Sequence, residues 1–150
     1  MPIWSYIIVA VPAYLLGSIP TGFLVGNAKG IDIRKTGSGN IGATNSFRVL
    51  GKSAGIFVLL VDCAKGFAAV WLADLILKMF NAPVANAENY RIIAGIFAVL
   101  GHNYTCWLKF KGGKGIATTA GVYLALAPWP LLIALAAFIL AAALTRYMSV

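Results

Sequence analysis

Residues 54–77 read AGIFVLLVDCAKGFAAVWLADLIL, an almost wholly apolar run carrying Asp62, Lys65 and Asp74 as its charges. A segment of about 20 mainly apolar residues crosses a hydrocarbon core about 30 Å thick, and this stretch meets that length. Asp62 and Lys65 stand three apart, on one face of a helix, where they can pair away from lipid. The pair reads first as structural and second as support for a site. Working outward, residues 3–26 and 92–108 form two further runs of this kind, the latter near the short limit. The run 116–144 is too long for one span, and Pro128 and Pro130, around Trp129, remove backbone donors and clash with the previous turn. It is expected to be two elements meeting there.

The whole chain agrees with these runs. Of its 150 residues 61% are hydrophobic and 11% charged, against about 45–50% and about 25% in ordinary soluble domains. The expected fold is therefore all-α, a polytopic integral membrane protein of about five transmembrane elements. It forms a single domain over residues 1–150, because neither an internal repeat nor a low-complexity tract divides it. The first run lacks the basic start and small-residue cleavage site of a signal peptide and is expected to be retained. Cys63 and Cys106 lie in apolar runs and read as small buried hydrophobes, offering neither a disulfide framework nor a metal site.

The net charge of +8 sits between the apolar runs, so anionic lipid or anionic substrate is the expected partner and nucleic acid is not. The loop 27–53 carries Lys29, Arg34, Lys35, Arg48 and Lys52; the loop 109–115 carries Lys109, Lys111 and Lys114; the loop 78–91 has only Lys78 and Arg91. Two spans separate the first loop from the third, and the positive-inside rule places both in the cytoplasm, with the N-terminus outside. If the Pro-broken run crosses twice, Arg146 returns to the same side.

The first of these loops contains Thr36-Gly37-Ser38-Gly39-Asn40-Ile41-Gly42-Ala43-Thr44-Asn45, followed by Arg48. Glycines let successive N–H groups approach an anion, and such nests bind phosphate. Ser38, Thr44, Asn40 and Asn45 add neutral hydrogen bonds, and Arg48 adds a fork suited to phosphate oxygens. Gly37, Gly39 and Gly42 also match the dinucleotide fingerprint, which requires a preceding strand that this polar stretch does not offer. A tight turn between helices is the bland alternative, opposed by the density of Ser, Thr and Asn.

The other cationic loop reads Lys109-Phe110-Lys111-Gly112-Gly113-Lys114-Gly115. It fails as a nucleotide-triphosphatase loop, because Gly115 stands where a magnesium-binding hydroxyl is needed. It reads instead as a flexible cationic loop opening a helix whose free N–H groups favour anions. A bare positive-inside anchor would have no need of the glycines. His102 has Trp107 five positions on, so an acid–base His-x4-Asp pair is absent and His102 reads as packing or positioning a substrate. Gly22-x3-Gly26 and Gly51-x3-Gly55 read as close-packing helix surfaces.

Taken together, Gly17-Ser18-Ile19-Pro20-Thr21-Gly22, Asp32-Ile33-Arg34, the residues from Gly37 to Asn45, Asp62, Lys65-Gly66, Gly101-His102-Asn103 and the residues from Lys109 to Thr118 resemble the bacterial acyl-phosphate:glycerol-3-phosphate acyltransferases, the PlsY family. The resemblance implies transfer of a fatty acyl group from acyl phosphate to the 1-hydroxyl of sn-glycerol 3-phosphate, giving lysophosphatidate and phosphate, the first step of phospholipid synthesis. It implies a helical enzyme of the bacterial inner membrane with a cytoplasmic site. It assigns function to Ser38 and Arg48, and glycerol 3-phosphate binding to Gly112, Gly113, Lys114 and Gly115. Its third motif, with His and Asn, would fall beyond Val150, so the sequence is expected to be C-terminally incomplete; Thr105 stands where the family often has Pro.

The expected site thus comprises Ser38 and Arg48 for catalysis; Gly37, Gly39, Asn40, Asn45, Lys111, Gly112, Gly113, Lys114 and Gly115 for phosphate; and Asp62, Lys65 and His102 in support. No cofactor and no metal are expected, and direct attack is expected in place of an acyl-enzyme, since neither a thiol nor a serine is paired with a base. The rival is a transporter of a phosphorylated metabolite, which would place its substrate near the midplane between repeated halves. A lipid-binding scaffold is a further rival, and would accept Lys in place of Arg48.

Overall fold

The computed structural model describes residues 4–80 and 87–145. Part of the loop 78–91, the returning Arg146 and the residues after it lie outside these. Lipid offers no partners to backbone N–H and C=O groups, which favours helices, and the described residues contain no strand. The helices are α1 (Trp4–Gly17), α2 (Thr21–Ala28), α3 (Ala43–Leu50), α4 (Lys52–Met79), α5 (Ala87–Asn103), α6 (Ile116–Leu126) and α7 (Pro128–Thr145).

Among the described residues two stretches are long and apolar enough to cross a membrane, the 25 residues Trp4–Ala28, which take in α1, α2 and the break between them, and the 28 of α4. At 1.5 Å per residue α4 is about 42 Å long, more than the hydrocarbon core, and it ends in Lys52 and Lys78 where the excess length reaches polar surroundings. Large apolar side chains such as Leu60, Trp71, Ile96, Ile133 and Phe138 lie exposed on the outer surface, an arrangement that suits hydrocarbon and is unusual in water.

Four boundaries differ from those expected, the first being that the run 3–26 is split into α1 and α2 by a break at Ser18–Pro20. The third run is helical from Ala87 to Asn103, and residues Cys106–Leu108 form a separate 3-10 turn. The helix stops there because its last carbonyls have other partners: His102 accepts from the N–H of Gly113 at 3.0 Å and Asn103 from that of Gly112 at 2.9 Å. In the last run the break falls at Ala127, and Pro128 opens α7, where a missing N–H costs nothing. The first cationic loop contains the helix α3, unforeseen in its sequence, joined to α4 through Gly51 at φ +95°.

Close helix packing runs through glycines. A Cβ on Gly17 would meet the Ala98 carbonyl, and one on Gly101 the Tyr14 carbonyl, so α1 and α5 touch backbone to backbone. Gly66 against Thr118 and Gly121 against Cys63 do the same for α4 and α6. Such approach supplies packing and polar contact where lipid removes the hydrophobic drive between helices. Of the glycines expected to pack helices, Gly22 and Gly26 lie against Ile41 and Ile31 of the first loop, and Gly55 against the Phe47 ring of α3. Gly51 faces open space and serves as a joint. The cysteines are free and only partly buried.

Two apolar clusters organise the bundle. One joins Val9, Ala13, Ala69, Ala73, Tyr90, Ala94 and Ala98 of α1, α4 and α5. The other joins Ile33, Ile41, Leu50, Ala54 and Leu108. Leu108 belongs to the segment after α5, whereas Ile33 and Ile41 belong to the first loop, so both cationic loops sit on one apolar floor.

Candidate active site

The first loop begins with a capped turn. Asp32 accepts from the Arg34 N–H at 3.1 Å and from its guanidinium Nε and Nη2, each at 2.9 Å. The guanidinium also lies over the Phe23 ring at 4.6 Å. These bonds pull the Asp32 carboxyl down to about 2 and push the Arg34 guanidinium above its ordinary value. Arg34 is committed to the loop itself.

Asn45, 2% exposed, holds the rest of the loop. Its Nδ2 donates to the carbonyls of Ile33 at 3.2 Å, Thr36 at 3.1 Å and Asn40 at 2.9 Å, and its Oδ1 accepts from the Ser38 N–H at 2.9 Å. Gly37 packs against this side chain at φ +60°, and Gly39 takes φ +71°, angles that disfavour any residue with a Cβ. Buried, with both ends of its amide engaged, Asn45 is the brace that shapes the loop.

Several of the loop amides are engaged in the same way. The N–H of Ser38 goes to Asn45, that of Gly39 to the Thr36 carbonyl, and that of Gly42 to Asn40 Oδ1 at 2.8 Å. In the second loop the N–H groups of Gly112 and Gly113 go to the end of α5. A chain that must hold a tight loop satisfies its own donors first. With these five N–H groups engaged, side chains and helix N-termini are the main donors left to an anion. Ser38, Arg48, Lys111 and Lys114 are exposed. The N-terminus of α6 follows Gly115, which has φ +75° and supplies no side-chain cap, leaving first-turn N–H groups for an anion.

Lys109 and Phe110 take φ of 55° and 60°, a left-handed pair that costs bulky residues about 1–2 kcal/mol each. The pair is held by the Phe110 N–H on the Thr105 carbonyl at 3.0 Å. Thr105 is fully buried and its hydroxyl donates to the Ser18 carbonyl.

That carbonyl is free because Pro20 forbids continuous helix through Ser18 and Ile19. The Ile19 carbonyl accepts from Lys65 Nζ at 2.9 Å. Lys65 and Asp62 pair at 2.9 Å, as their spacing foretold, and Asp62 also accepts from the Thr21 hydroxyl at 3.1 Å. His102 brings Nδ1 to 3.7 Å from Asp62. Sequence reasoning gave no role to Ser18, Thr21 or Thr105; the one available signal was a Ser, a Pro and a Thr within an apolar run.

The glycerol-3-phosphate acyltransferase family matches residues 7–150. A glycerol-3-phosphate acyltransferase of Geotalea daltonii is 48% identical over 97% of the chain and 71% of its own length. One of Geobacter sulfurreducens is 49% identical over 95% and 70%. The crystal structure of PlsY (YgiH), an integral membrane glycerol 3-phosphate acyltransferase, in its glycerol 3-phosphate form superposes with a TM-score of 0.82 at 38% identity, covering 96% of this chain and 68% of that one. Its lysophosphatidic acid form gives 0.74 over 89% and 63%. With a match that spans the cationic loops, their shared apolar floor and the helices that carry them, the chain belongs to the glycerol-3-phosphate acyltransferase family.

Proposed function

We propose that the chain, as a single membrane-embedded domain, transfers a fatty acyl group from acyl phosphate to the 1-hydroxyl of sn-glycerol 3-phosphate, releasing lysophosphatidate and phosphate. One observation carries this: two loops bearing exposed cations rest on the same apolar cluster through Leu108, Ile33 and Ile41. Both substrates are phosphates, and a reaction between them needs two anion sites side by side.

Arg48 and Ser38 hold one phosphate in the first loop. Lys111, Lys114 and the N-terminus of α6 hold the other, the second loop taking glycerol 3-phosphate. An acyl phosphate is a mixed anhydride with a good leaving group, so alignment and charge stabilisation are what the protein must add. The glycerol hydroxyl attacks the acyl carbonyl directly, a substrate phosphate takes its proton, and inorganic phosphate leaves. The acyl chain lies between helices in the bilayer, avoiding the cost of exposing it to water. The guanidinium and ammonium groups carry the phosphate charge, so activity is expected to persist in chelator. The loops face the cytoplasm of a bacterial inner membrane, in keeping with their Lys and Arg excess.

The test is phosphate release from palmitoyl phosphate by the purified chain in lipid, with and without glycerol 3-phosphate. Release that requires glycerol 3-phosphate and disappears in Arg48→Ala supports the assignment. Glycerol 3-phosphate crossing sealed vesicles with no acyl transfer would replace it with the transporter.

A further inference from the structure

Beneath the second loop lies a group of polar side chains that the proposed chemistry does not touch. Asp62 is 1% exposed, Lys65 and His102 4% each, and Thr21 5%. Asp62 Oδ1 is the common point, taking Lys65 Nζ at 2.9 Å, the Thr21 hydroxyl at 3.1 Å and facing His102 Nδ1 at 3.7 Å. His102 Nδ1 has no hydrogen-bond partner among the described residues. The opposite edge of the ring lies under the loop: a Cβ on Gly113 would strike Nε2 before any other atom.

A buried ion pair is a poor way to gain stability alone, because desolvation offsets much of its attraction and apolar residues of similar volume often serve as well. What charge and hydrogen bonds add over an apolar filling is direction. Gly113 is held from two sides, its N–H on the His102 carbonyl at 3.0 Å and its Cα against the ring of the same residue. The ring in turn faces Asp62 with Nδ1, at 3.7 Å and beyond hydrogen-bond length, and the glycine with its opposite edge, so it stands between the two.

We infer that Asp62 is a positioning residue for the second glycine loop, acting through the imidazole of His102 on Gly113 and so setting glycerol 3-phosphate affinity without touching that substrate. The link to affinity rests on the proposal that this loop binds glycerol 3-phosphate; the link to loop position does not. The group also ties the loop to the break between α1 and α2, since Lys65 reaches the Ile19 carbonyl at 2.9 Å.

The experiment reads both links in the full chain. Amide hydrogen exchange of residues 109–115 and equilibrium binding of glycerol 3-phosphate are measured for wild type, Asp62→Asn, His102→Ala and the two together. Asp62→Asn is expected to speed exchange at Gly112 and Gly113 at least tenfold and to weaken binding at least tenfold. In the His102→Ala background the same change is expected to add less than twofold, because the connecting ring is gone. Should Asp62→Asn alone fail to fold, the charge-balanced pair Asp62→Asn with Lys65→Met carries the same expectation. Unchanged exchange at Gly112 and Gly113, or effects that multiply with those of His102→Ala, overturns the inference. Faster exchange with coupling through His102 but unaltered binding keeps the positioning role and removes glycerol 3-phosphate from this loop.

Discussion

At the end of the bundle away from the loops, the Tyr6 and Tyr90 rings stack at 4.5 Å, and the Tyr90 and Ser5 hydroxyls share a 2.7 Å hydrogen bond beside a cluster made largely of alanines. At the loop end, buried Asn45, Asp62, Lys65, His102 and Thr105 take the place of such a core, and glycines stand wherever backbone meets backbone or ring. Both ends are well packed, yet they fail differently. A lost contact at the Tyr90 end weakens the fold and leaves the loops where they are. A lost contact at the loop end moves an exposed cation that has no packing of its own. Stability is concentrated at one end and ligand geometry at the other.

The sharpest break in this contrast is Arg48→Ala. Its side chain is exposed, so thermal unfolding should be unchanged while glycerol 3-phosphate-dependent phosphate release falls at least about 100-fold, the scale of losing one transition-state charge contact. Arg48→Lys should not restore it, because a point charge does not replace a planar fork. Gly121→Val should act on both ends. Its branched side chain would run into the Cys63 carbonyl and part α6 from α4, costing about 3 kcal/mol or more and reducing the yield of folded protein.

Asn45→Ala separates loop shape from loop charge. It removes the Asn45 bonds to the Ser38 N–H and to the carbonyls of Ile33, Thr36 and Asn40, of which Thr36 keeps the Gly39 N–H, at about 1–3 kcal/mol for each group left buried and unpaired, and should lower kcat and speed exchange across residues 36–45. Asn45→Asp should be worse, since a carboxylate would face the carbonyls of Ile33, Thr36 and Asn40. Tyr90→Phe, which removes only the hydroxyl bonded to Ser5, should cost about 1 kcal/mol in unfolding and leave KM for both substrates unaltered.

The smallest effect is expected from pH acting on Asp32. Its folded value, near 2, lies below its ordinary value of 3.8, so the bond to Arg34 contributes fully above about pH 4 and is lost as pH falls through about 2. Asp32→Asn should therefore leave the profile of activity between pH 5 and 8 unaltered in shape.

Much of this was legible in the chain. Apolar runs of spanning length, the Pro-broken last run and the charge of the loops are local properties, written in neighbouring residues. The Asp62 and Lys65 pair was legible because helical spacing alone puts the two side chains on one face. The residues of the glycine loops carried the family resemblance.

How the loops are held was not legible. Their N–H groups looked available because a sequence does not say which acceptors a fold brings near, and those of Ser38, Gly39, Gly42, Gly112 and Gly113 are taken by Asn45, the Thr36 carbonyl, Asn40 and the end of α5. The Thr105 bond to Ser18 joins residues 87 apart, and that of Thr21 to Asp62 residues 41 apart. Sequence by itself determined the helical membrane class, the apolar runs and the cationic character of the loops, because hydropathy, helical spacing and charge act over a few residues. Only the tertiary structure decided that Asn45 is a brace, that Leu108 seats one loop on the floor of the other, and that His102 lies between Asp62 and Gly113, because each depends on atoms that meet only when distant helices pack.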